Sequence, residues 1–443
     1  MREALDSTQN DDTNRLFHRL PTPFKISVLE ILRGQKALSA SSSVDFKLLG
    51  IALLSLQIVT CSLVFATMQR RHYPVPETDK ILLNNRNILI AANYYNNEHI
   101  LPIHFQQILR VMEMIRKAGG DVFVSIYENG SKDTTPAIIG HFRETLRQHN
   151  VLHRILSEAA PSWTDYNVDY NIEERIKYMA HIRNRVMEPL SEHSFDDVIF
   201  FNDVMFDAED AMRLLLTEQL DYDAVCAMDF NRVTFYDTWV SRDINGFTMS
   251  PVYPYVYDQQ SAVLLRQNRP FPVTSCWNGI VVIKAAALAN VQFRSWNSNE
   301  PRTIQDSETH VYSADCPVSE CALLFKDLTL KGYSKFLINP SVHVTYSRAD
   351  WVLHWVIGGL LNLLADIFLQ ADAQPRVEQA DRIPSCGFAG KVRLRILPML
   401  ILICVILAAF CTFILSGRKG RFWRQRSRLC FRDHRKGLAK YLV

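Results

Sequence analysis

From residue 87 onward the chain alternates short apolar runs with longer stretches in which apolar positions return every third or fourth residue. That alternation is the pattern of a sheet covered by amphipathic helices. It predicts strands at 88–92, 122–127, 197–201 and 224–228, with shorter ones at 281–283 and 336–338. A helix over 101–118 stops at Gly119-Gly120. Another begins near Thr134-Thr135-Pro136, where capping threonines and a proline in the first turn agree. A third follows over 207–220. Together these elements make residues 87–347 an α/β domain.

Outside this region the pattern changes. Residues 48–69 are 22 uncharged, mainly apolar positions, about 33 Å as a helix and long enough for a hydrocarbon core of roughly 30 Å. They start too far from the N-terminus for an ordinary cleaved signal, so they read as an uncleaved signal anchor. Ser55, Gln57, Thr60 and Ser62 leave a buried globular helix as the alternative. Residues 396–416 form a second, more apolar span. Residues 351–369 are also apolar but carry His354, Asn362 and Asp366, which favours a membrane-surface or buried amphipathic helix.

Charge orients these segments. The 443-residue chain has a net charge of only +3, but 418–443 hold ten Lys/Arg against one Asp, leaving 39 against 45 elsewhere. Positive flanks stay cytosolic, which predicts a cytosolic segment 1–47, a lumenal body 70–395 and a cytosolic tail 417–443, in a Golgi or endoplasmic reticulum membrane. Residues 70–86 read as a stem and 348–395 as an amphipathic segment with a linker. A mildly acidic body argues against nucleic-acid binding, and 11% aromatic content excludes a wholly disordered chain. An oxidising lumen permits disulfides. Five of the nine cysteines lie in the body, with Cys316 and Cys321 as a plausible local pair, and no spacing suggests zinc. The sequon at Asn129 sits in a loop read below as a substrate loop, so it is not expected to be used.

Five stretches carry possible chemistry. ILIAANYYNNE (88–98) and YENGSKDTT (127–135) are loops following strands, where ligands bind in open α/β sheets. Glu128 and Asp133 could accept hydrogen bonds from a base or ribose, although an ordinary solvated turn has the same composition. In DVIFFNDV (197–204) an apolar strand delivers Asn202 and Asp203 to the sheet edge. Oxygen ligands there suit a hard divalent cation bridging to a diphosphate, and a helix cap is the alternative. The basic stretch 175–185 places Arg175 and Arg183 on roughly one helical face that could hold phosphates, or simply be solvated. Glu320 opens a late helix and could meet an acceptor hydroxyl. His343 is a possible metal or phosphate ligand, though a lone histidine is more often structural.

In this order the stretches resemble the series found in nucleotide-sugar glycosyltransferases of the GT-A type. More closely, 87–347 is similar to fungal α-1,3-mannosyltransferases of the cryptococcal capsule-associated type, glycosyltransferase family 69. NYYNNE (93–98), YENGSKDTT, MAHIRNRVMEPL (179–190), FFNDV (200–204), FYDTWVSRDING (235–246), CWNG (276–279) and SECALLFKDL (319–328) carry the resemblance. It implies a GT-A-like, Rossmann-type nucleotide-sugar-binding domain with membrane helices at both ends. It also implies GDP-mannose as donor, a divalent metal such as Mn2+, a glycan acceptor and α-linkage with retention.

Carried over residue by residue, Asn93, Glu128, Asp133, Arg175, Arg183 and Asn202 would hold the donor. Asp203 and His343 would bind metal. Trp239, Arg242, Asp243, Trp277 and Asn278 would face the acceptor, and Glu320 with Asp203 would serve catalysis. Asn202 departs from a strict Asp-X-Asp, and the second span departs from a single-anchor transferase. The rival readings are a non-catalytic homologue supporting polysaccharide assembly and a transferase using another nucleotide sugar. No residue pattern signals an oligomeric state.

Overall fold

In the computed structural model, which describes residues 81–158, 172–296, 318–359 and 362, the apolar run at 88–92 becomes the strand β1 (Asn87–Tyr94). In chain order there follow α1 (Leu101–Lys117), β2 (Asp121–Glu128), α2 (Thr135–Gln148), β3 (Leu152–Ser157), α3 (Ile172–Met187), β4 (Asp197–Phe201), α4 (Ala208–Leu215) and β5 (Ala224–Asn231). The rest are β6 (Thr234–Phe235), β7 (Arg242–Asp243), α5 (Gln259–Arg266), β8 (Phe271–Ser275), β9 (Ile280–Lys284), α6 (Glu320–Leu330), β10 (Phe336–Thr345) and α7 (Arg348–Leu353).

Successive strand residues point to opposite faces. Ile88, Ile90, Ala92 and Tyr94 of β1 enter one core with α1, α2 and α4, while Leu89 and Ala91 enter a second with α3, α5 and α6. The expected sheet covered by helices is therefore observed, with helices on both faces. The strand order is β3-β2-β1-β4-β9-β5-β10-β8-β7, with β6 added to β5. β3, β2, β1 and β4 are parallel. β9 is antiparallel to both β4 and β5, and β10 is parallel to β5. The C-terminal ends of β1, β2, β4, β5 and β10 consequently share one edge. β2 and β4 flank β1 on opposite sides, which makes a topological switch point there.

Local differences from expectation have physical causes. The edge strand β3 (LHRILS) is mostly half-buried, so no apolar run announces it. The helix expected over 207–220 ends at Leu215, because Glu218 and Gln219 take φ of 47° and 55°. At α2 it is Asp133 Oδ1, not a threonine hydroxyl, that accepts from the Thr135 N–H at 2.9 Å. Cys321 is a buried free thiol, so the local Cys316–Cys321 pair is not formed; Cys316 lies outside the described residues. The disulfide is instead Cys226–Cys276, which ties β5 to the chain after β8 across 50 residues of sequence.

The spans at 48–69 and 396–416, the linker and the tail lie outside the described residues. Among the described residues no helix is long and apolar enough to cross a membrane. The segment opening at 351 is helical and two-sided: His354 is buried, its ring 3.8 Å from Phe230, while Trp351, Val352 and Ile357 are exposed. Residues 363–369 lie outside the described residues.

His104 on α1 is fully buried beneath the site, among Tyr94, Phe201 and Phe206. Its Nδ1 lies 2.7 Å from the Val204 carbonyl, which can only accept, so Nδ1 carries the proton. Burial pushes its pKa down from 6.5 to about 4, against a smaller opposing effect of that hydrogen bond. The unfolded chain thus takes up a proton that the folded chain refuses. Stability is full above pH 6.5 and falls as pH drops through about 4, by on the order of 3 kcal/mol. His104→Gln should keep the bond to Val204 and flatten this decline. Melting temperatures at pH 7 and pH 5 that fall equally in both proteins would refute the assignment.

Candidate active site

The loops after β1 and β2 are sewn into one wall at the switch point. Asn96 N–H donates to Ser131 Oγ (2.9 Å), Lys132 N–H to Asn96 Oδ1 (2.8 Å) and Glu98 N–H to Asp133 Oδ2 (3.1 Å). Glu98 Oε2 accepts from the Thr134 N–H and hydroxyl at 3.1 and 2.7 Å. Burial raises the Asp133 pKa, but hydrogen bonds from Thr135 and Glu98 outweigh it and hold the carboxyl below its ordinary range. Asp133 therefore builds the loop itself. Glu128, buried at the end of β2, accepts from the Ser131 N–H and the Ser157 hydroxyl. Asn93 is half-buried opposite Tyr127. Asn129 is buried, which puts its side chain out of reach of a glycosylating enzyme in the folded chain.

Asp203 lies just beyond β4, half-buried, and accepts from Asn97 Nδ2 at 2.7 Å. Asn97 is itself fixed, its N–H on Thr135 Oγ1 (2.7 Å) and its Oδ1 receiving the Tyr95 N–H (2.8 Å). The first loop thereby aims an amide at the expected metal carboxylate. Burial raises the Asp203 pKa and the Asn97 bond opposes that rise. Next to it, Asn202 Oδ1 accepts from the Trp277 indole N–H at 3.0 Å.

A second acidic feature was not foreseen. Asp229, fully buried near the end of β5, accepts from the Tyr346 hydroxyl at 2.5 Å and from the Asp237 N–H at 3.1 Å. Asp237 accepts the N–H groups of Asn278 (3.2 Å) and Val240 (3.3 Å). Burial raises both carboxyls, and the Asp237 charge adds to the rise at Asp229. The rings of Tyr236 and Tyr346 lie 4.8 Å apart, and both hydroxyls feel the charges of Asp203, Asp229 and Asp237. These groups thus converge on one place. One signal could have found the pair: Asp229 is the single charge in the strand AVCAMDFN.

The basic helix divides. Arg175 is exposed and its charge reaches Tyr236. Arg183 is buried, ion-paired with Glu320, and holds its guanidinium 4.8 Å above Trp277 and 5.8 Å from Phe293. Its charge also lowers the Asp237 pKa against burial. Glu320, at the start of α6, is buried with it and accepts from the Ser319 hydroxyl at 3.1 Å. Both ring nitrogens of His343 are engaged, Nδ1 with His354 Nε2 at 2.7 Å and Nε2 with the Pro340 carbonyl at 2.8 Å.

Of the five residues expected to face an acceptor, Trp239 is on the surface at 41% exposure, flanked in sequence by exposed Tyr236 (54%) and Phe247 (51%). Arg242 is half-buried and donates to the Thr238 and Ser241 carbonyls. Asp243 is buried and caps its own turn through the Asn245 and Phe247 N–H groups, each at 2.9 Å. Trp277 and Asn278 are interior, in the CWNG turn that begins at the buried, disulfide-bonded Cys276. Asn278 fastens Ser241, Ala227 and Asp237 together.

The family model described as cryptococcal mannosyltransferase 1 matches residues 87–327, more than half of the chain. The alpha-1,3-mannosyltransferase CMT1 of Cryptococcus neoformans var. neoformans serotype D is 25% identical over 288 residues, 57% of each chain, so this chain spans 57% of that curated relative's length. Among solved structures, the mannosyltransferase PcManGT from Pyrobaculum calidifontis, in complex with GDP-Man and Mn2+, is 14% identical at a TM-score of 0.33, over 67% of this chain and 66% of that one. Mannosyl-3-phosphoglycerate synthase from Rubrobacter xylanophilus is 11% identical at 0.30, over 71% and 81%. TM-scores of this size carry no conclusion about substrate or mechanism.

Proposed function

Since this chain belongs to the cryptococcal mannosyltransferase 1 family, we propose that it transfers mannose from GDP-mannose to a hydroxyl of a mannose-containing glycan, with α-1,3 linkage and retention. The observation that carries this reading is the meeting of the first two loops with Asp203 at the switch point, through the Asn97–Asp203 hydrogen bond. Glu128 and the loops after β1 and β2 would receive the nucleoside, and Arg175 would add positive charge beside Tyr236. Tyr236, Trp239 and Phe247 offer aromatic faces of the kind sugar rings stack on.

A hard divalent ion such as Mn2+ suits the oxygen donors present. Among the described residues no three His, Cys, Asp or Glu groups cluster as a metal site; Asp203, just beyond β4, is the carboxylate that would hold such an ion. When bound, that ion neutralises the departing diphosphate. The acceptor hydroxyl attacks C1 from the face the diphosphate leaves, the C1–O bond to the acceptor forms as the C1–O bond to phosphate breaks, and the acceptor's proton passes to the departing phosphate oxygen. Glu320 buried against Arg183 favours this route over general-base inversion, because a paired, enclosed carboxylate does not reach an incoming hydroxyl. Any negative charge on Asp237, which the Arg183 cation favours against burial, would help stabilise the oxocarbenium-like centre. The Cys226–Cys276 disulfide supports an oxidising compartment, and the apolar runs at 48–69 and 396–416 are what motivate the membrane-anchored placement in Golgi or endoplasmic reticulum.

Titration of the full-length protein in detergent with GDP-mannose, with and without Mn2+, tests this reading, with Asp203→Ala alongside. Metal-dependent binding that weakens at least about a hundredfold in the variant is expected. A folded wild type that ignores GDP-mannose but binds another nucleotide sugar would move the donor assignment.

A further inference from the structure

An indole nitrogen carries a hydrogen and has no lone pair to offer, so it only donates. The end of the Asn202 amide that lies 3.0 Å from Trp277 Nε1 is therefore the carbonyl oxygen. The two ends of an asparagine amide are ordinarily assigned by inference, and here the chemistry of the partner decides. Trp277 is not free to turn. Its ring is buried between Phe200 (5.0 Å) and Phe293 (5.4 Å), with the Arg183 guanidinium above its face.

The main chain of Asn202 is also pinned. Its N–H donates to the Gly279 carbonyl (2.8 Å) and its carbonyl receives the Val204 N–H (2.9 Å). With the backbone held and Oδ1 committed, Nδ2 points away from Trp277. Among the described residues no acceptor meets it. The residue directly before Asp203 thus offers two N–H donors, which is the wrong pole for a cation and the right one for an anionic oxygen.

We propose that Asn202 serves the diphosphate of a nucleotide sugar as a hydrogen-bond donor, locked in that orientation by Trp277, and that metal contact in this loop falls to Asp203 alone. This rests on the nucleotide-sugar reading above. It reverses the intuition that the asparagine is a weakened carboxylate ligand beside Asp203. Asn202→Asp, which sets a second carboxylate beside Asp203, replaces donors with a negative charge facing the phosphates and so harms binding.

GDP is the probe. Calorimetry on the full-length protein in detergent, with and without Mn2+, compares wild type with Asn202→Asp, Asn202→Ala and Trp277→Phe. Thermal unfolding checks that each variant is folded. Asn202→Ala should weaken GDP about ten- to hundredfold, the loss of a charge-assisted hydrogen bond. Asn202→Asp should weaken it further without tightening Mn2+, and Trp277→Phe, which keeps the ring and removes the N–H, should show a smaller loss. If Asn202→Asp binds Mn2+ more tightly and GDP as well as wild type does, or if the Asn202 variants equal wild type, Asn202 has no donor role. UDP is run in parallel. A wild type that binds neither GDP nor UDP overturns the nucleotide reading and this role together. One that binds UDP alone moves only the donor, and the same variants are then compared on UDP.

Discussion

Glu320→Ala should lower the stability of the folded domain by about 3–5 kcal/mol, because it strands the Arg183 guanidinium in the interior. The pair is buried on both sides and closes around Trp277, whose ring also holds the cation. At roughly 2–4 °C per kcal/mol for a domain of this size, melting should fall by on the order of 10 °C. Glu320→Gln keeps an acceptor for the guanidinium and should fall less. The companion change Arg183→Met should recover part of the loss when combined with Glu320→Ala, since no unpaired charge then remains. Thermal unfolding of the four proteins decides the matter. If Glu320→Ala melts with wild type yet loses transfer activity, the carboxylate is catalytic and the ion pair incidental.

Gly279→Ala should be nearly as costly, for a different reason. The residue has φ +78°, and a Cβ built there would stand 2.7 Å from Val344 Cγ2, 3.0 Å from Val204 Cγ1 and 3.5 Å from Asp229 Cβ. Left-handed backbone costs a side chain about 1–2 kcal/mol, and overpacking adds about 1–3. The neighbours that must give way are Val344 and Val204, the residue after Asp203, while Asp229 stays at ordinary contact distance. Transfer should therefore fall more than stability alone explains. Adding Val204→Ala opens space on one side and should restore part of the melting temperature. A Gly279→Ala protein with native melting and native turnover would show that this close approach is not needed.

Much of the sheet was legible in the chain. Residues 88–92, 122–127, 197–201 and 224–228 are short apolar runs, and all four lie within strands. Their following loops were also visible, because polar residues after an apolar run mark the strand end where ligands gather. Edge strand β3 was not legible, since only a strand buried on both faces needs to be apolar throughout. The disulfide was hidden for a related reason. Cys316–Cys321 is near in sequence, whereas Cys226 and Cys276 meet only because β5 and β8 are brought together by the sheet.

Sequence by itself determined the α/β class, the family and the loops that contain Asn97, Glu128 and Asp203, because hydrophobic period and motif order are properties of neighbouring residues. Only the tertiary structure decided what each polar side chain does with its hydrogen bonds. It turned Asp133 into a loop brace, closed Glu320 against Arg183, engaged both nitrogens of His343 and set Asp229 beside Asp237. A side chain's partner is chosen by distance in space and by the cost of burying charge. Neither quantity is written in the spacing of residues along the chain.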